Sequence, residues 1–144
     1  MKKVELVILI AAIAGMNIAY ATPKAIFRDC HGRVQMTATT DRYGNTTYRD
    51  RTGRIKGTAK TDKYGKTTYR DASGRFQGTA TADRYGKTTY RDRHGRIQYT
   101  KTTNHYGKTT YRDRSGRFQG SASTDRYGKT TYRDSSGRIR GTMK

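Results

Sequence analysis

Residues 41–61 read DRYGNTTYRDRTGRIKGTAKT, and residues 62–82 return nearly the same string as DKYGKTTYRDASGRFQGTATA. The register then holds along the chain. Tyr43, Tyr64, Tyr85, Tyr106 and Tyr127 stand 21 residues apart, as do Tyr48, Tyr69, Tyr90, Tyr111 and Tyr132. Arg33, Arg54, Arg75, Arg96, Arg117 and Arg138 keep the same spacing. A fixed period without insertions marks a repeat architecture, in which each unit buries its faces against its neighbours.

Each unit carries two turn signals. One is Asp-x-x-Gly-Arg, first at Asp29 to Arg33 and again at Asp50 to Arg54 and Asp71 to Arg75. The other is Asp-x-Tyr-Gly, as in Asp41 to Asn45 and Asp83 to Lys87. A leading Asp bonds backbone amides two residues on, and Gly at the fourth place accepts positive φ. That is the chemistry of a type I turn closed by a glycine bulge, a frequent hairpin connection.

Between the turns lie short runs of β-favouring residues, such as Thr67 to Arg70 and Arg75 to Thr81. They are too short for helices and suit a pleated surface. Glycines at 57, 78 and 120 fall inside such runs and point to a bulge or a close backbone approach. The expectation is an all-β fold of tandem 21-residue β-hairpin repeats, about twelve strands in an up-and-down meander sheet or solenoid-like array. Whether the array is flat, coiled or rolled into a barrel stays open, as does the strand face that carries Tyr. A single-residue bulge reverses the facing of everything after it.

Composition narrows the function classes. Of 144 residues, 31 are Lys or Arg and 11 Asp or Glu, a formal charge of +20, and only 31% are hydrophobic. An enzyme built on a thick aliphatic core is not expected. Residues 1–21 stand apart: Lys2 and Lys3, an uncharged apolar run from Leu6 to Ala14, then Ala19-Tyr20-Ala21. This is the three-part pattern of a secretory signal, with cleavage expected between Ala21 and Thr22 and residues 22–144 as the repeat domain. The apolar run is shorter than the ~20 residues of a spanning helix, so the processed protein is not expected to be an integral membrane protein. Without Lys2, Lys3 and Glu5 the counts fall to 29 basic and 10 acidic, and no Glu or Leu remains. Large aliphatic residues are few, so tyrosines must supply much of the burial, as cross-strand stacks. The alternative is a chain that orders only on a partner.

The stretches Tyr48 to Ile55, Tyr69 to Phe76, Tyr90 to Ile97, Tyr111 to Phe118 and Tyr132 to Ile139 share Tyr-Arg-Asp-x-x-Gly-Arg-Ile/Phe. At this spacing the motif resembles the YD repeats of Rhs-type bacterial secreted proteins, except that Arg stands between Tyr and Asp. The resemblance implies β-hairpin repeats on an extracytoplasmic protein. It does not extend to shell formation or toxin delivery.

No catalytic constellation is legible, and no cofactor or metal is expected. His31, His94 and His105 occupy turn positions held elsewhere by Ser, Thr or Arg, and every Asp belongs to a repeated turn. Cys30 is the single cysteine, so it either stays free or pairs with another molecule. The strongest functional signal is cations at fixed phases: Arg49, Arg70, Arg91, Arg112 and Arg133 after the strand Tyr, and Lys66, Lys87, Lys108 and Lys129 after the turn Gly. Stacking aligns equal phases into ladders, with the tyrosines Tyr48, Tyr69, Tyr90, Tyr111 and Tyr132 expected beside them. Such ladders favour an anionic polymer or an anionic cell surface as partner, nucleic acid included. The competing expectation is a structural or assembly protein of the cell surface or matrix, oligomerising through open sheet edges or Cys30. In either case the protein is expected to be exported, periplasmic or secreted, and not an enzyme.

Overall fold

A computed structural model describes residues 24–144; the expected signal segment 1–21 lies outside the described residues. The described chain forms twelve strands: β1 (Lys24–Asp29), β2 (Val34–Thr40), β3 (Asn45–Asp50), β4 (Ile55–Thr61), β5 (Lys66–Asp71), β6 (Phe76–Ala82), β7 (Lys87–Asp92), β8 (Ile97–Thr103), β9 (Lys108–Asp113), β10 (Phe118–Thr124), β11 (Thr130–Asp134) and β12 (Ile139–Met143). Every strand pairs antiparallel with its sequence neighbour, and β1 pairs with β12, so the meander closes into a barrel. This decides between the architectures left open by the sequence: a closed barrel replaces the flat sheet or solenoid. Closure leaves no free edge. The open edges expected as a route to oligomers are therefore absent among the described strands.

The turns form as their chemistry dictates. In the Asp50 turn the carboxylate Oδ1 accepts the Thr52 amide at 2.9 Å and the Arg54 amide at 3.0 Å. The Gly53 amide donates to the Asp50 carbonyl at 3.0 Å, with Gly53 at φ +84°. Arg49 then reaches over the turn, its Nη1 donating to the Gly53 carbonyl at 3.0 Å. Arg70, Arg91, Arg112 and Arg133 repeat that bond on Gly74, Gly95, Gly116 and Gly137.

Behind each of these turns the register slips by one residue. Tyr48 faces Gly57 while Arg49 faces Ile55, so Lys56 is the extra residue of a bulge. The same slip follows Tyr69, Tyr90 and Tyr132. It settles the face that the sequence left open. Tyr48, Tyr90, Tyr111 and Tyr132 are buried in the barrel with Phe27, and Tyr69 packs against them. Ile55, Phe76, Ile97, Phe118 and Ile139 are instead 38–44% exposed. Most of the side-chain volume of the core is thus aromatic.

Eight strands enclose a space that ordinary side chains fill, and twelve enclose a wider one. The repeat fills it by alternating large with small. Tyr69 lies between Ala59 and Gly78, and Tyr132 between Ala122 and Gly141. Gly57 has a second reason to be glycine, since a Cβ there would stand 2.5 Å from the Arg70 carbonyl oxygen. Below the tyrosines runs a layer of threonine pairs. Thr40–Thr46, Thr61–Thr67, Thr103–Thr109 and Thr124–Thr130 each share a hydroxyl hydrogen bond of 2.8 Å.

Candidate functional site

Adjacent residues of a strand point to opposite faces. With the strand tyrosines inside, the arginines that follow them lie outside. Arg49, Arg70, Arg91, Arg112 and Arg133 are all exposed on the outer wall, as are Lys66, Lys87, Lys108 and Lys129. None of these nine forms an ion pair with a carboxylate among the described residues, whereas Arg33–Asp29 and Arg96–Asp92 do, at 3.3 and 3.2 Å. The wall therefore brings the cations together in two belts, one at each set of turns. It separates them from Tyr48, Tyr69, Tyr90, Tyr111 and Tyr132, which were expected beside them.

A different set of rings takes that place. Tyr43, Tyr64, Tyr85, Tyr106 and Tyr127, in the Asp-x-Tyr-Gly turns, are 66–81% exposed. Arg42, Lys63, Arg84 and Arg126 lie over the rings of the tyrosines that follow them, 4.8–5.0 Å from the centroids. The sequence signal for this rim was a bulky ring at a turn position that needs only a polar residue. These tyrosines share the end of the barrel with Lys66, Lys87, Lys108 and Lys129, each at most two residues away in the chain.

The Asp carboxylates at the opposite end are committed to the fold. Hydrogen bonds from the Arg75 and Ser73 amides and from Gln77 hold the Asp71 carboxyl below the usual range, and Asp29 is held down in the same way by Arg33, His31 and Gln35. Inside the barrel, a cavity of about 860 Å³ runs from Tyr48, Tyr69 and Tyr90 to the layer of Asp71, Asp92 and Gln98. The Tyr48 and Tyr69 hydroxyls are buried in this aromatic layer without a hydrogen-bond partner. Burial raises both phenols. No group of three or more His, Cys, Asp or Glu among the described residues is placed to hold a metal ion. Cys30 is exposed, with its Sγ 3.4 Å from His31 Nδ1.

Away from the closing seam of β1, β2 and β12, the repeat is broken inside the barrel at three neighbouring places. Ala82 stands where Thr40, Thr61, Thr103 and Thr124 recur, Tyr99 where Gly57, Gly78, Gly120 and Gly141 recur, and Lys101 where Ala38, Ala59, Ala80 and Ala122 recur. Tyr99 stacks on Tyr90 with centroids 4.2 Å apart. Lys101 is 6% exposed, and burial brings its amine down to about 8. The departures are legible by aligning the repeats, but only the fold shows that they face one lumen.

No helix among the described residues is long and apolar enough to cross a membrane. No family model matches the chain, and no curated protein matches it. Among solved structures, the crystal structure of BamB from Moraxella catarrhalis is similar over 78% of this chain and 61% of its own, at 10% identity and a TM-score of 0.35.

Proposed function

We propose that this chain is an exported, strongly basic repeat barrel that binds anionic polymers or surfaces: lipopolysaccharide, acidic polysaccharide or extracellular nucleic acid. The observation that carries this reading is the outer wall, where Arg49, Arg70, Arg91, Arg112, Arg133 and the Lys66 to Lys129 series are exposed and unpaired with carboxylates. Like charges held in belts repel one another, and a polyanion lying across them relieves that repulsion. The exposed tyrosines add flat faces on which a base or a sugar can stack. A wall this rich in Lys and Arg also faces water more cheaply than lipid.

The reading that the protein is a structural or assembly component loses its sheet-edge route in a closed barrel. Retention of residues 22–144 on heparin and on DNA tests the binding reading. Affinity should be high at about 50 mM salt and fall steeply by about 500 mM, because each phosphate neutralised releases a counterion that salt returns. Changing Lys66, Lys87, Lys108 and Lys129 together to Gln should flatten the salt dependence by up to about four contacts. Absence of retention at the lower salt would overturn the proposal.

A further inference from the structure

The lumen contains a second, smaller feature that the outer wall does not explain. A cavity of about 210 Å³ is lined by Lys101, Thr67, Thr88, Thr103, Ala80 and Ala82, with Gly65 and Gly86 at the Tyr-Gly turns. Two of the three breaks in the repeat meet here across a single strand. Thr88 of β7 pairs with Ala82 on one side and with Lys101 on the other. Ala82 removes the threonine that holds the equivalent hydroxyl in the neighbouring units, and Lys101 adds an ammonium beside it. Lys101 forms no ion pair or hydrogen bond among the described residues, although it is 94% removed from solvent. Its Nζ is not among the fully buried atoms that lack a partner, so the ammonium meets the space of the cavity. Enclosed to this degree it loses much of its hydration, which an anion in the cavity would replace.

We propose that Lys101 and Thr88 form a site inside the barrel for a small monocarboxylate. One ammonium calls for one negative charge, and the Thr88 hydroxyl supplies a second donor for a carboxylate oxygen. The Ala80 and Ala82 methyl groups offer an apolar wall for a short alkyl tail. At about 30 Å³ per water-sized group, the cavity holds about seven heavy atoms, which excludes a polymer. The site is independent of the polyanion reading, because the cations of the outer wall take no part in it.

The test is NMR of the protein with ¹³C-labelled lysine, titrated with sodium butyrate at constant ionic strength. The Lys101 Cε signal, assigned by its loss in Lys101→Met, should shift saturably while the Lys129 signal stays in place. Lys101→Ala restores the residue of the other repeats, so it should fold and leave butyrate unbound in calorimetry. Three results would overturn the proposal: a Lys101 signal that does not move, one that moves in step with Lys129 without saturating, or butyrate binding retained in Lys101→Ala. Saturation by inorganic phosphate but not by butyrate would overturn the ligand class.

Discussion

Raising the pH should unfold this barrel cooperatively, because its interior is built from phenols. Burial raises Tyr48, Tyr69, Tyr90, Tyr99, Tyr111 and Tyr132 above the ordinary value of 10.0. The folded state therefore keeps six protons that the unfolded chain gives up as pH rises through 10, and stability falls with pH above that point. Each phenol costs about 1.4 kcal/mol at pH 11, so six together cost about 8 kcal/mol. A domain with a total stability of about 5–15 kcal/mol cannot absorb much more. The β signal in circular dichroism should collapse near pH 11, in one step with the tyrosinate absorbance of the six rings. Tyr48→Phe removes one of the six protons and one unsatisfied buried hydroxyl. It should move the collapse to higher pH and leave stability at neutral pH unchanged or raised by about 1–2 kcal/mol. Gradual ionisation of all eleven tyrosines of residues 22–144 with the β signal intact would refute the reasoning, since it would mean that the rings meet water.

Lys101→Ala should stabilise the protein at neutral pH by about 3 kcal/mol, the equivalent of moving an amine from 10.5 to about 8. The sign follows from a lowered amine: the wild-type barrel gains stability as pH rises from about 8 towards 10.5, and the variant loses that slope in urea titrations at successive pH values. Gly57→Ala should cost about 1–3 kcal/mol in the same titrations, because its Cβ meets the Arg70 carbonyl oxygen at 2.5 Å. Acid should weaken the turns: Asp29, Asp41, Asp50, Asp71, Asp92 and Asp113 are held below 3.8, so the melting temperature falls as pH drops through that range. Deleting residues 42–62 removes two strands and keeps the count even, so a ten-stranded barrel should still close and give a β spectrum. Deleting a single strand should not, because the first and last strands would then run parallel.

The sequence by itself determined the local structure. Asp50, Gly53 and Arg54 already specify a bulged turn, because an Asp side chain reaching two amides and a glycine at positive φ need nothing beyond the five residues they span. Twelve strands, their order and the phase of the cations follow from the repeat. The tertiary structure decided what no single repeat contains. Closure depends on Phe27 meeting Met143, residues from opposite ends of the described chain. The inward facing of Gly57 and Ala59, and of Tyr69 after them, depends on the bulge at Lys56, one residue that exchanges inside and outside for all that follow it. Hence Arg49 and Tyr48, neighbours in the chain, lie on opposite sides of the wall, and the cations take their aromatic company from Tyr43 and Tyr64 instead. Lys101 shows the same division. As a letter it is one more cation among many, and only the inward pleat of β8 makes it a charge enclosed by the barrel.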